Sequence, residues 1–383
     1  MATATTLSMG VLGTSKKIDE RRVPIHPAHF ERIHEDYRHR IMVESGYGEP
    51  FGVDDAEIAK FVGSIGTRAE VIAASDILLL PKPQPSDLED MKDGQILWGW
   101  PHCVQDDAIT QLAIDKKLTL IAFEAMNHWG PDGSFGLHVF HKNNELAGYA
   151  SVIHALSLAG STGDYGRRLS AAVIGFGATA RGAVTALLAH GINDVHVLTS
   201  RAVAAVASPI HSVDMVQFDQ VGDDLEAITQ EGRWPLANYL AKSDIVVNCT
   251  LQDPNDPFMY VKNSDLEAFT PGSLIIDVSC DAGMGFEWAL PTTFADPMFT
   301  VGHNINYYAV DHSPSYLWNS ASWEISEALL PFINVVLSGE DAWAESEPIR
   351  RAIEIQHGLI QNPAILAFQK RESTYPYARI SNG

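Results

Sequence analysis

Cysteine is scarce, with three residues in a chain of 383. Cys103, Cys249 and Cys280 have no Cys-x-x-Cys spacing, and an odd, scattered set builds neither a disulfide framework nor a structural zinc site. No apolar run approaches the ~18–20 residues that a bilayer-crossing helix requires. The opening MATATTLSMGVLGTSKK has no continuous hydrophobic stretch before its lysines, so no secretory leader is expected. Basic residues are outnumbered, 26 Lys plus Arg against 48 Asp plus Glu, for a formal charge of −22. That balance leaves no footprint for nucleic acid or an anionic membrane. Repeats and low-complexity tracts are also missing. The expectation is a cytoplasmic protein that handles small molecules and carries no metal.

Apolar material is plentiful at 46% of residues, and the length suits two domains. Short apolar runs alternate with helical stretches along the first third. MGVLG (9–13), HRIMVES (39–45), DILLLPKP (76–83), QILWGWP (95–101) and LTLIAFE (118–124) read as strands, with helices at 27–35, 55–63 and 105–116. A long helical pattern at 143–160 leads into a second series. Its strands are SAAVIGFG, VHVLTSR (195–201), DIVVNCT (244–250), SLIIDVS (273–279) and FTVGH (299–303). Apolar-faced helices follow at 313–339 and 347–369. Strands alternating with helices predict α/β architecture with parallel sheets. The spacing predicts two Rossmann-like, doubly wound domains separated by a cleft, the second inserted into the first. Residues 1–142 plus 304–383 form a discontinuous substrate domain and 143–303 a nucleotide domain, joined by long helices at 143–160 and 314–338.

Gly175-Phe176-Gly177-Ala178-Thr179-Ala180 fits G-x-G-x-x-G/A and falls between a strand and a helix. Gly175 permits the tight turn, Gly177 lets the backbone approach a pyrophosphate, and Ala180 allows close helix–strand packing. Amides at the helix start then face the phosphate charge. The next strand ends in Ser200-Arg201, with no acid until Asp214. A guanidinium and a hydroxyl suit a ribose 2′-phosphate, whereas Asp or Glu would hold a 2′-hydroxyl. The pair therefore points to NADP(H). Cys249 and Thr250, at the end of DIVVNCT, are further cofactor candidates.

In the amino-terminal domain, Arg22, Lys82, His102 and Glu124 each follow a strand, where ligands of open α/β sheets bind. Together they have a logic for keto acids. Arg grips a carboxylate, Lys polarises a carbonyl or exchanges protons, and His is a general acid/base near neutrality.

The pattern Lys17…Arg22-Val23…Pro27, followed by VESGYG and LLLPKPQP, resembles the alanine dehydrogenase/transhydrogenase superfamily, which includes the lysine-forming saccharopine dehydrogenases. Pro101-His102-Cys103 resembles the saccharopine dehydrogenase segment. IGFGATARGAV, DVSCDAGMGFEWALPTTFADP and YYAVDHSPSYLWNSASWEIS resemble the carboxyethylornithine synthase branch. The resemblance covers nearly the whole chain and implies an NADPH-dependent reductive condensation of pyruvate with the side-chain amine of ornithine. It implies that Arg22 binds the keto-acid carboxylate, that Lys82 and His102 are catalytic, and that Asp281 is the acid facing the cleft.

Amine attack needs a neutral amine, and an ornithine side chain is almost wholly protonated at pH 7. His102 and Lys82 are the pair available to move that proton and to release water. The second substrate's cation needs an acid, for which Asp281, Glu287, Asp311 and Glu124 are candidates and Asp281 is preferred. The run Tyr307–Tyr316 lines the cleft or forms a hinge. Lysine as the amine, alanine dehydrogenation with ammonia, and a non-catalytic NAD(P)H-binding module remain as alternatives. A homo-oligomer, dimer or tetramer, is expected.

Overall fold

The six amino-terminal strands pair in the order β3-β2-β1-β4-β5-β6, every pair parallel. They are β1 (Met9–Val11), β2 (Ile41–Glu44), β3 (Ser64–Gly66), β4 (Ile77–Leu79), β5 (Ile96–Gly99) and β6 (Thr119–Ala122). Met9, Val11, Ile77 and Leu79 are sealed from solvent, which is why these strands read as unbroken apolar runs. The sheet starts at β1 and reverses direction between β1 and β4, where the loops after neighbouring strands diverge and leave a crevice. A hairpin, β7 (Asn127–Trp129) and β8 (Phe135–His138), follows. The coordinates are a computed structural model and describe residues 7–200, 213–222, 224–252 and 257–380. Among them, no helix is long and apolar enough to cross a membrane.

By internal contacts the chain divides into Met1–His141 with Trp318–Gly383, and Lys142–Leu317. The second unit repeats the first one's logic. Strands β9 (Ser170–Ile174), β10 (Asp194–Thr199), β11 (Asp214–Val221), β12 (Asp224–Thr229) and β13 (Gly232–Pro235) come first. They are followed by β14 (Ile245–Asn248), β15 (Met259–Val261), β16 (Leu274–Asp277), β17 (Gly285–Phe286), β18 (Met298–Val301) and β19 (Ile305–Tyr308). Nine of these form a sheet in the order β13-β12-β11-β10-β9-β14-β16-β19-β18. Its parallel centre again runs outward both ways from its first strand, β9, and the antiparallel strands sit at the two edges.

Two helices of this unit, His141–Leu158 and Ala178–Ala189, cross at glycines. A Cβ on Gly148 would lie 1.9 Å from the Thr179 carbonyl, and one on Gly182 would lie 1.7 Å from the Glu145 carbonyl. The two ends of the unit also meet. Ser313 Oγ donates to Ala147 O at 3.1 Å, and His154 stacks on Tyr316 with ring centroids 4.4 Å apart.

Because Ile305–Tyr308 pairs with β16, residues 305–317 belong with the nucleotide-type sheet, and the chain re-enters the first unit at Trp318 rather than at 304. The helix Trp318–Leu337 then buries Ile325, Leu329, Ile333 and Val336 against the first unit's core, a stripe at helical spacing. The stretch 347–369 is not one helix. It holds β20 (Ile353–Gln356), antiparallel to β6, and β21 (Leu359–Ile360), between short helices Glu347–Arg350 and Pro363–Gln369. Glu354 and Gln356 alternate with Ile353 and Ile355, and Gly358 turns the chain at φ 77°. That two-residue period suits a strand.

Candidate active site

The connections after β1, β4, β5 and β6 carry Arg22, Lys82, His102 and Glu124, all leaving the carboxyl side of adjacent parallel strands. The β4–β5 pairing extends past the strands: Leu80 N donates to Trp98 O and Trp100 N to Pro81 O. Gly99 permits this, since a Cβ there would lie 2.0 Å from Leu80 O. The lysine and histidine loops are thereby kept in register. Lys82 Nζ lies 2.8 Å from His102 Nε2.

His102 adopts φ 46°, the left-handed region that a residue with a Cβ rarely occupies. Its surroundings account for the strain. Its N–H donates to Glu124 Oε1 at 2.7 Å, and its carbonyl accepts from Gln105 N and Asp106 N ahead of the helix Asp107–Asp115. Glu124 Oε1 is also 3.9 Å from His102 Nδ1. Glu124 Oε2 is sealed from solvent and has no hydrogen-bond partner among the described residues. Burial, aided by the nearby Glu354 carboxyl, pushes the Glu124 acid up to about 8, and the His102 N–H and Lys82 charge oppose that rise. An orphaned oxygen and an acid that keeps its proton are consistent with each other.

Arg22 is buried and its Nε and Nη2 donate to the two oxygens of Glu20 at 2.8 and 2.6 Å. Glu20 Oε1 also accepts the Arg22 N–H. The guanidinium carbon lies 5.4 Å from the Trp100 ring centroid, and Trp100 packs edge-on against Phe123, next to Glu124. Glu20 escaped the sequence reading; its one signal was an acid two residues before a buried arginine.

In the second unit, Gly175 has φ 111°, and a Cβ there would press on Cys249 O at 3.1 Å. Gly177 has nothing within 4 Å of a built Cβ among the described residues, and it caps the twelve-residue helix that begins at Ala178. Bare backbone at an open helix start, with Ala180 buried behind it, fits a pyrophosphate. Phe176 sits beneath the Arg181 guanidinium, 5.0 Å away, and the Thr179 carbonyl is the one that Gly148 approaches. Cys249 N donates to Ile174 O, joining the ends of β9 and β14, and Thr250 Oγ1 donates to Asn248 Oδ1 at 2.7 Å. Ser200 is exposed just past β10, and Arg201 lies outside the described residues.

Asp281 is in the second unit, half-buried, and burial raises its carboxyl. Asp311, also in that unit, is hydrogen-bonded to Nδ1 of its neighbour His312. Glu287 is exposed and accepts from Asn263 N at 2.7 Å. The structure therefore groups Lys82, His102 and Glu124 by direct contact and Arg22 through Trp100, while Asp281 and Asp311 belong to the other body.

A buried carboxylate that the sequence reading passed over is Asp277, at the end of β16. It accepts from Asn248 Nδ2 (2.9 Å), Cys280 N (3.0 Å) and Tyr307 OH (2.7 Å). Burial pushes it up to about 6 against those three donors. The turn it fixes puts Cys280 at φ 47° immediately before Asp281.

Family models described as "Alanine dehydrogenase/PNT, N-terminal domain" and "Alanine dehydrogenase/PNT, C-terminal domain" match residues 12–141 and 168–363. An N(5)-(carboxyethyl)ornithine synthase of Clostridium botulinum is 26% identical over 326 residues, covering 81% of this chain and 89% of that protein. An alanine dehydrogenase of Mycobacterium tuberculosis is 26% identical over 332 residues, covering 84% and 85%. Among solved structures, an L-alanine dehydrogenase superposes with a TM-score of 0.75 at 19% identity, over 94% of this chain and 98% of that one. The last likeness is one of fold.

Proposed function

The chain belongs to the alanine dehydrogenase/PNT family of NAD(P)-dependent oxidoreductases, and on that premise we propose that it joins a 2-keto acid to the side-chain amine of an amino acid. The keto acid is pyruvate, the amine ornithine or lysine, the reductant NADPH, and the product an N-(1-carboxyethyl) amino acid. The observation that carries the proposal is the 2.8 Å contact of Lys82 with His102, whose N–H donates to Glu124.

A hydrogen bond between an amine nitrogen and an imidazole nitrogen needs one of them to accept, so the two cannot both be protonated. The pair can therefore take a proton and return it. It removes the proton from the substrate ammonium, whose nitrogen then attacks the ketone carbon. His102 protonates the departing hydroxyl of the carbinolamine, which leaves as water, and Lys82 moves protons at the amine and imine nitrogen. Glu124 holds His102 through its backbone N–H. Arg22, whose Nε and Nη2 are held by Glu20, is assigned to the keto-acid carboxylate. Asp281 is assigned to the second substrate's cation, with Asp311 as a further acid.

Gly175–Ala180 would hold the pyrophosphate, Cys249 and Thr250 would flank it, and Ser200 with Arg201 would meet the 2′-phosphate. When bound, the reduced nicotinamide supplies the hydride that converts imine to secondary amine. The equal identity to an alanine dehydrogenase favours ammonia as a second reading of the amine.

Following reduced-cofactor absorbance in an amine panel tests the proposal. Oxidation of NADPH with pyruvate and ornithine or lysine is expected. Oxidation only with NADH and ammonia would establish the second reading, and none with any amine would overturn both.

A further inference from the structure

We propose that Asp87 is a positioning residue for this reaction, one buried carboxylate that holds the Arg22 loop and the Lys82 loop in place relative to each other. The inference rests on the function proposed above. Asp87 is the third residue of the short helix Pro85–Glu89, with its side chain 3% exposed. Its Oδ1 accepts from Arg68 Nη2 at 2.7 Å. Its Oδ2 accepts two backbone N–H groups, Gln84 at 2.9 Å and Lys16 at 3.1 Å. Gln84 is two residues past Lys82, and Lys16 lies in the connection from β1 that continues to Arg22. A helix cap accounts for the Gln84 bond alone. The bonds to Lys16 and Arg68 reach across to other elements.

The same node secures the rest of that connection. Arg68 Nη1 donates to Thr14 O at 2.8 Å and lies 3.3 Å from Glu44 Oε2, which accepts the Gly13 N–H at 2.7 Å. Lys16 Nζ returns to Ser86 O at 2.8 Å and to Asp90 at 2.7 Å. Residues 13–16 are thus tied to the helix that follows Lys82, on either side of the point where the strand order reverses. Separation between carboxylate grip and proton-transfer pair is what this reaction needs fixed, because an error of about 1 Å costs on the order of a hundredfold in rate.

Asp87→Asn keeps the side-chain shape and removes the charge facing Arg68. We expect kcat/KM for pyruvate to fall by about a hundredfold, with the NADPH dissociation constant, read by fluorescence, unchanged within about twofold. Combined with Arg22→Lys, the loss should be smaller than the sum of the two single losses, because both act on one contact. Hydrogen exchange should quicken in peptides 13–22 and 82–86 together. Faster exchange confined to Gln84–Glu89, or additive kinetic losses, would reduce Asp87 to a helix cap and overturn the proposal. Arg68→Gln, which removes the Oδ1 partner, should loosen the same two peptides and serves if the first variant does not fold. Failure of the parent protein to oxidise NADPH with any amine would overturn the functional reading separately, and the exchange pattern would still decide for or against Asp87.

Discussion

Lys82 and His102 share one contact, and the chemistry assigned to them is proton movement, which contributes about 10²–10⁴-fold in such sites. Lys82→Met should lower turnover by about that factor and leave NADPH binding intact, as fluorescence titration against steady-state rates will show. Glu124 supports a prediction of opposite character. Its acid rises from 4.5 to about 8 on folding, so between those values the folded chain holds a proton that the unfolded chain releases. Stability attributable to this group is complete at low pH and is lost as pH rises through that window. Glu124→Gln has no such proton, so its melting temperature should gain on the parent's between about pH 5 and about pH 8.5. The nearness of Lys82 to His102 was foreshadowed in the sequence because each directly follows an apolar run. The bonds of Glu20 and Asp87 were not, since they depend on partners that only the fold delivers, Lys16 and Arg68 for Asp87 above all.

Strand ends decide where the buried charge of the second unit goes. Asp277 ends β16 between Asn248 of β14 and Tyr307 of β19, so one carboxylate stitches three neighbouring strands. Tyr307→Phe leaves Asp277 Oδ2 buried without its phenol donor. The expected loss at pH 7.5 is about 1.5–3 kcal/mol, the value of a hydrogen bond to a charged acceptor. At about pH 5, where an acid raised to about 6 is largely neutral, the loss should be smaller; denaturant titrations at the two pH values check this. In the sequence the family resemblance draws attention to Asp281, and nothing local marks Asp277. Burial of Asp277 depends on a tyrosine thirty positions further on. Misreading of 347–369 has a similar origin: Ile353 and Ile355 satisfy a strand period, but too briefly to stand out against the flanking helical residues. By contrast the glycine loop was plain, since its whole signal lies within six consecutive residues.

Across the whole molecule, a formal charge of −22 meets two anionic ligands in the proposed reaction. Long-range repulsion is screened beyond about 10 Å at 0.1 M salt, whereas a buried guanidinium such as Arg22 is screened much less. The KM values for NADPH and pyruvate should therefore fall as ionic strength rises from about 10 to about 150 mM, the reverse of a site fed by a basic surface. Stopped-flow association rates would show the change directly. Both sheets run outward from their first strand, an order that the alternation of strand and helix implied, but the hairpin extension Asp214–Pro235 and the exact point of return were invisible without the pairing partners. One detail of that second unit reaches past catalysis. Its first helix and its last turn are fastened to each other by Ser313 with Ala147 and by His154 with Tyr316, so the chain enters and leaves the segment side by side. Joining its two ends, or splicing it as a block into a host loop, would therefore leave little chain to bridge.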